Sequence, residues 1–204
     1  DILFRNSFAQ DHSLSISSGT DKSQSFFSTS FYNDNGWTIA DNVRRYTLNF
    51  RNTYNFNDKL SAGFLTTGSV RQQRAPGTLN RTSNPGSGQF DRDFDINPFS
   101  YALNSNRALT AYDQNGNLEY FRRNFAPFNI INELKNNYID LSVIDLKLQG
   151  ELGYKITPHL KYEFIGALRY VKSSREHQIT ENSNMANAYR ANDNATVNER
   201  NKFL

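Results

Sequence analysis

The feature that most constrains the fold is a strict two-residue alternation of apolar and polar side chains. Between residues 45 and 56 it is interrupted on the apolar side only by Asn52. Because successive side chains of a β-strand point to opposite faces, the pattern predicts a strand with one apolar and one polar face. The same alternation returns at residues 60–71, where Leu65 is the exception, at 144–156 and 160–170, and more weakly at 8–17 and 23–32. The apolar set of the first run is Tyr46, Leu48, Phe50, Tyr54 and Phe56.

Short polar segments join these runs in pairs. The segments at residues 19–22, 57–59 and 157–159 predict three β-hairpins. A run of about 11 residues rises roughly 36 Å and, tilted by about 40°, spans roughly 28 Å, close to the apolar band of a membrane β-barrel. Strands of soluble proteins are usually only about five or six residues long. The runs therefore fit a membrane-spanning wall better than a soluble sandwich.

The connections between the hairpins are long, at residues 33–43, 72–137 and 173–204. Short and long links alternate, as they do between the tight turns and the outer loops of an outer-membrane barrel. We therefore predict an all-β fold: a section of a large antiparallel transmembrane β-barrel with long, partly structured extracellular loops. Six strands cannot close such a barrel, since the smallest have about eight. The chain is expected to pair with strands that it does not contain.

The longest loop carries signals of its own. Asn97 followed by Pro98 predicts a helix over residues 97–103, with Asn97 as the N-cap. The DQNGN segment at residues 113–117 predicts a small hairpin, and residues 127–136 a second short helix. Residues 74–89 are predicted to be a flexible entrance to the loop. The polar stretch at residues 182–201 is expected to be mobile or part of another outer loop.

Composition excludes several classes of function. The net charge is +3 with mixed signs, so no block of like charge predicts a nucleic-acid partner. The chain has no cysteine, which removes disulfides, zinc thiolates and thiol nucleophiles. Its mean hydropathy is −0.72 although 14% of its residues are aromatic, a combination expected of a barrel with a wet interior and large loops. The sequence has no apolar run of 18 residues, so we predict no transmembrane helix. We also expect no signal peptide among the given residues.

An acidic triplet in the long loop is a weak candidate metal site. Asp91, Asp93 and Asp95 occupy alternate positions, and converging carboxylates can bind Ca²⁺. The glycine and the bidentate glutamate of an EF-hand are missing, and Arg92 partly neutralises the cluster. A solvated loop or lumen face is the favoured interpretation.

No catalytic constellation is evident. The three histidines, His12, His159 and His177, have no partners at ligand spacing, and a Gly-x-Ser-x-Gly nucleophile elbow is absent. We therefore predict that the chain is not an enzyme and uses no cofactor, and we assign the histidines to polar surface or lumen positions.

Two further groups are candidate contact residues. Four loop aromatics could stack on sugars or anchor a protein partner, although packing of the loop on itself or on a lid protein is favoured; they are Trp37, Tyr112, Tyr120 and Phe121. Charged residues on the polar strand faces are predicted to face the lumen, where they would line a substrate path or pair with an internal plug; they include Arg45, Arg51, Lys147, Glu151, Lys161, Glu163 and Arg169. Aromatics at strand ends, such as Tyr46, Tyr54, Phe56, Tyr154 and Tyr170, are predicted to form interface girdles.

Four segments, in order along the chain, resemble the SusC/RagA family of TonB-dependent outer-membrane transporters from Bacteroidetes. They are residues 12–22 (HSLSISSGTDK), 31–36 (FYNDNG) leading to Arg45 and Tyr46, 97–103 (NPFSYAL) and 138–154 (YIDLSVIDLKLQGELGY). The resemblance covers nearly all of the chain, and it rests on the ordered set more than on any one segment.

The resemblance implies a nutrient importer in the outer membrane of a Gram-negative bacterium, capped by a SusD-like surface lipoprotein. It would import oligosaccharides or peptides, driven by the TonB complex. Residues 1–204 would then be a partial barrel domain, since no plug, TonB box or closing C-terminal strand is found. The alternative is a secreted or surface β-rich binding or adhesion domain without transport activity. The apolar face distinguishes the two: it would pack on a second layer in a soluble domain and remain uncovered in a barrel wall.

Overall fold

The computed structural model of the protein describes residues 2–77, 82–83, 90–91, 96–123 and 126–191. The strands in chain order are β1 (Ala9–Gly19), β2 (Ser23–Asp34), β3 (Asn42–Asn55), β4 (Leu60–Pro76), β5 (Thr82–Ser83), β6 (Phe90–Asp91), β7 (Phe121–Arg123), β8 (Ala126–Phe128), β9 (Asn137–Thr157) and β10 (Leu160–Ile179). The helices are α1 (Pro98–Asn104), α2 (Ile130–Asn136) and α3 (Asn184–Ala191).

Six strands form one antiparallel sheet in the order β1-β2-β3-β4-β9-β10. The three predicted hairpins are confirmed as β1–β2, β3–β4 and β9–β10, with their turns at the predicted segments. The long connection at residues 77–136 leaves β4 and β9 as neighbours in the sheet, paired from Leu60 with Tyr154 to Pro76 with Tyr138. The remaining strands pair in two small ribbons, β5 with β6 and β7 with β8.

Some strands are longer than the alternation predicts. β9 has 21 residues and β10 has 20, and β10 continues to Ile179 although residues 173–179 were expected to begin a long loop. These residues are polar towards both sides of the strand, so periodicity gives no signal there. Backbone pairing supplies the order instead, because Ser173 to Ile179 continue the ladder against Val143 to Asn137.

The register places apolar side chains on one face of the sheet, here named the apolar face. Leu48 lies opposite Gly68, Gly68 opposite Leu146, and Leu146 opposite Tyr170. Large side chains on this face are substantially exposed, Leu48 at 42% and Phe164 at 56%, and Leu146 and Leu148 are comparable. Within the described residues no second layer packs over the face. The sheet is therefore a wall with an uncovered apolar side.

The buried core lies in the loops beside one end of the sheet. It contains Leu3, Ile96, Phe128, Ile130, Ile131 and Leu134, and we name it the loop core. The prediction of α1 is confirmed, and the Asn97 side chain accepts hydrogen bonds from the backbone N–H groups of Phe99 and Ser100. α2 begins at Ile130, later than predicted, because residues 126–128 form β8.

A third helix lies in the stretch that was predicted to be mobile or part of another outer loop, residues 182–201. Residues 184–191 form α3, and residues 192–201 lie outside the described residues. The side chains of Met185, Ala186 and Ala188 are fully or almost fully buried. The helix has an apolar side, but its few apolar residues stand among polar ones and form no hydrophobic run in the sequence. No helix in the described part of the chain is long and apolar enough to cross a membrane.

Candidate functional site

The second face of the sheet, here named the polar face, collects charged side chains. Arg169 forms a bidentate ion pair with Asp145, with Nη2 2.6 Å from Oδ2 and Nε 3.0 Å from Oδ1. Arg51 lies 3.9 Å from a carboxylate oxygen of Glu151, and Lys161 contacts Glu163. Paired charges of both signs make this face hydrophilic without giving it a single electrostatic sign.

The structure brings the charged residues of the sequence prediction onto this one face. Strand register aligns Arg51 with Leu65, Leu65 with Gln149, and Lys147 with Arg169. The same alternation places the whole predicted set there: Arg45, Arg51, Lys147, Glu151, Lys161, Glu163 and Arg169. That this face lines a lumen stays a prediction.

The loops cover the polar face at the end of the sheet opposite the short turns. Asn137 and Ile139, on the polar-face side of β9, are 0% and 3% exposed. Tyr138 and Asp140, on the other side of the same strand, remain partly exposed. The side-chain amide nitrogen of Asn137 also lies 3.8 Å from the Met185 sulfur in α3. The loop cluster therefore lies over the polar face and leaves the apolar face open.

A buried polar network holds this cluster together. The Glu133 carboxylate, 0% exposed, accepts hydrogen bonds from the backbone N–H of Asn184 at 2.6 Å and from the Asn137 side-chain amide at 3.1 Å. Asn137 Oδ1 lies 2.7 Å from His177 Nε2. The network joins α2, α3, β9 and β10, and it was missed at the sequence level because Glu133 sits in an otherwise ordinary helical segment. A buried carboxylate needs such donors to offset desolvation, so the arrangement is structural.

Asn184 extends the same network at the start of α3. Its side-chain amide donates to the backbone carbonyls of Arg123, Ala126 and Pro127 at 2.9, 3.1 and 3.0 Å. One side chain thus ties α3 to both strands of the β7–β8 ribbon.

The two histidines besides His177 lie where their sequence positions indicated, His12 in β1 and His159 in the β9–β10 turn.

The four predicted contact aromatics separate into two kinds. Trp37 is 69% exposed, and Tyr112 and Tyr120 are also exposed. Phe121 instead packs edge-on against Phe128 of the loop core, with ring centroids 5.4 Å apart. Trp37, Tyr112 and Tyr120 are therefore accessible to a partner or solute, whereas Phe121 contributes to the packing of the loop. Their use in binding stays a prediction.

A polar loop carries the predicted hairpin signal at residues 113–117. Oδ1 of Asp113 accepts hydrogen bonds from the backbone N–H groups of Asn115 and Asn117, each at 2.8 Å, and Gly116 adopts a positive φ of 83°. A single bridge joins Tyr112 and Leu118, so the hairpin is reduced to its turn. The hydrogen bond from the Asn117 backbone holds the pKa of Asp113 below its usual value. Burial raises the pKa of Tyr101, which packs on the loop core.

The weak metal candidate cannot be placed in this arrangement. Asp93, Asp95 and the side chain of Asp91 lie outside the described residues. Among the residues that the structure describes, no group of three or more acidic or histidine side chains could hold a metal ion.

The comparison with known proteins gives a structural match. No protein-family model matches the sequence, and no curated protein matches it. A solved structure of the RagAB peptide importer, in a closed-closed state, is similar with a TM-score of 0.66 at 14% sequence identity. The match covers 90% of this chain and 20% of that one, so the chain spans about a fifth of the length of the neighbour.

The match agrees with the geometry of the sheet. The chain is all-β and forms a section of an antiparallel β-barrel wall with partly structured loops. At 14% identity the likeness to this peptide importer concerns the fold of the sheet and its loops.

Proposed function

We propose that this chain is a wall-and-loop section of a TonB-dependent outer-membrane importer of nutrients. The strands would separate lipid from a hydrophilic interior, and the loops would form part of the outer mouth. The role of this section in transport would be passive: it forms part of the wall and part of the mouth.

The observation that carries the proposal is the asymmetry of the sheet. Large apolar side chains such as Leu48 and Phe164 stay uncovered on one face, and ion pairs such as Asp145–Arg169 occupy the other. The loop cluster buries polar-face side chains of β9, as Asn137 and Ile139 illustrate. A soluble adhesion domain would instead cover the apolar face, because exposed apolar patches of this size favour aggregation.

The barrel section is proposed to be one domain that is completed by strands outside it. Both edges of the sheet, β1 and β10, lack a neighbouring strand among the described residues. In lipid, each unpaired backbone group costs several kcal/mol, so pairing is required for membrane insertion. A plug and a TonB box would lie in other parts of the same protein.

The proposed partners follow from the sequence resemblance and the structural neighbour. A SusD-like lipoprotein would dock on the loops at the mouth, where Trp37, Tyr112 and Tyr120 are exposed. The imported solute would be an oligosaccharide or a peptide, and the likeness to a peptide importer favours peptides. Organism and compartment are proposed on the same basis: the outer membrane of a member of the Bacteroidetes.

The membrane placement can be tested with spin labels on adjacent residues of β9. The chain has no cysteine of its own, so Leu146→Cys and Lys147→Cys would place a nitroxide on the apolar and the polar face in turn. In the full-length protein in lipid vesicles, the label at position 146 should collide more with dissolved oxygen than with an aqueous nickel complex. The label at 147 should show the reverse ratio. Equal ratios at both positions would contradict a barrel wall.

The transport function requires a separate experiment. Cells lacking the gene should lose uptake of labelled oligopeptides or of labelled oligosaccharides, and loss of TonB should reproduce that defect. Normal uptake of both solutes, combined with a loss of surface attachment, would favour the adhesion alternative.

A further inference from the structure

The apolar side chains of the apolar face form a band that ends before the loop end of the sheet. A row of polar side chains on the same face, here named the rim, lies between this band and the loops. On each strand of the sheet, the apolar side chains of this face end before the loops begin. The next residue on the same face, towards the loops, is hydrophilic. The rim residues, in sheet order, are His12, Asn33, Arg44, Gln72, Ser142 and Lys172. Their side chains share the face of the apolar residues, so they stand where lipid headgroups would lie if the band spans a bilayer.

Two cations of the rim are available to an external anion. Arg44 and Lys172 are exposed, and neither forms an ion pair within the described part of the chain. The Arg44 side chain donates from Nε to the side-chain oxygen of Asn33 at 3.4 Å, a hydrogen bond that is long and weak. Their strands, β3 and β10, are separated by three steps in the sheet, or roughly 14 Å at 4.8 Å per step.

The surface beside Arg44, on β3, β4 and β9, is concave. A cavity of about 540 Å³ is lined by polar residues just above the band, among them Asn42, Arg44, Gln72, Arg74, Asp140 and Ser142. Arg74 is held by a bidentate pair with Asp140 at 2.9 and 3.1 Å and lies over the Tyr138 ring. Among the described strand residues on this part of the face, the acidic groups are Asp140 and Glu176, and the pair with Arg74 neutralises Asp140. The other, Glu176, lies opposite Asp140 in the ladder, farther from the band than Lys172.

We infer that this rim is a binding site for an anionic, phosphate-bearing lipid of the leaflet on the loop side, with Arg44 and Lys172 contacting its headgroup. The inference rests on the membrane placement proposed above. Arg and Lys side chains bind phosphate oxygens through charge-assisted hydrogen bonds. The apolar band directly below, including Tyr46 and Ile144, would contact the acyl chains of the same molecule. Headgroup cations and chain contacts on one face fit a lipid better than a soluble phosphate compound.

The test uses the full-length protein in a zwitterionic detergent. The probe is a glucosamine disaccharide that carries two phosphates and six acyl chains, and its affinity is measured by native mass spectrometry. The double variant Arg44→Gln with Lys172→Gln should weaken binding by roughly 30-fold, since one surface cation contributes roughly fivefold. The control, Arg71→Gln with Arg175→Gln, removes the same charge from the polar face of β4 and β10 and should change affinity by less than about twofold.

Two further probes separate the possible sources of the anion. Phosphatidylcholine, which has no net charge, should bind equally to the parent protein, the rim double variant and the control double variant. Inorganic pyrophosphate should not displace the glycolipid. Displacement by pyrophosphate would identify a site for free phosphate, and equal losses in both double variants would identify a non-specific charge effect; either result overturns the inference.

Failure of the lipid-site inference can be distinguished from failure of the proposed barrel wall. If the spin labels alternate on β9 but the rim variant binds the glycolipid as the parent protein does, only the lipid site is wrong. If the labels do not alternate, both the barrel wall and the lipid site fall.

Discussion

Asn52 illustrates how a single residue departs from the alternation without breaking it. It is the one polar side chain in the apolar run of β3, and the register places it opposite Ser25. Its side-chain amide donates to the hydroxyl oxygens of Ser25 at 2.7 Å and Ser23 at 3.3 Å. A polar group facing hydrocarbon needs a partner in the protein because lipid offers none. The exception is therefore a cross-strand pair that the sequence of β3 alone could not reveal.

At the same scale, Asp113 makes its turn sensitive to pH. Its depressed pKa means that the ionised carboxylate stabilises the folded turn, chiefly through the hydrogen bond from the Asn117 backbone. This contribution is present above the unfolded pKa of about 3.9 and is lost as the pH falls through the lower folded value. Amide exchange at Asn115 and Asn117, corrected for intrinsic rates, should therefore accelerate at strongly acidic pH.

Two variants check the assignment of this effect to Asp113. Asp113→Ala should show the accelerated exchange already at neutral pH, because both backbone donors lose their acceptor. Asp113→Asn keeps an oxygen at that position and should make exchange independent of pH in the acidic range. Unchanged exchange in Asp113→Ala would show that Gly116 and the flanking bridge hold the turn without the carboxylate.

At the scale of the element, the two faces of β9 should respond oppositely to the same substitution. Leu148→Arg would place a charge on the apolar face near the middle of the band, at a cost of about 2–4 kcal/mol. Gln149→Arg puts the same side chain on the polar face beside Glu151, where water and a carboxylate can satisfy it. Urea unfolding of the full-length protein in phospholipid vesicles measures both. Equal destabilisation by the two variants would contradict the assignment of the faces.

The elements that the sequence predicted share a local signal. The alternation and the polar turns gave the three hairpins and both faces, and Asn97 with Pro98 gave α1, because each depends on side chains that are close in the chain. The extension of β10 to Ile179 depends on pairing with β9, and the packing of α3 depends on Glu133 and Asn137 far away in sequence. Non-local contacts of this kind leave no periodicity to read. The loop network was unpredictable for the same reason.

For the whole molecule, the two ends of the sheet are built differently. In the described part of the chain, the short-turn end carries only tight connections, and the other end carries the loop core, Glu133 and the exposed loop aromatics Trp37, Tyr112 and Tyr120. The loops bury Ile139 on the polar side of β9 and leave the apolar face uncovered. The two faces of the sheet therefore differ, and so do its two ends. A wall between lipid and an aqueous interior requires both differences, whereas a symmetric soluble sandwich would not need them.

The open edges lead to a prediction about the molecule as a whole. In the full-length protein, backbone amides of β1 and β10 should exchange as slowly as those of β4 and β9, because strands of the remaining barrel pair with both edges. In residues 1–204 expressed alone in detergent, amides of the edge strands should exchange faster by about tenfold or more, since roughly half would lack a partner strand. The central strands β4 and β9 serve as the internal control. An isolated chain that stays monomeric with fully protected edges would mean that these six strands need no neighbours, and the barrel-section proposal would then fail.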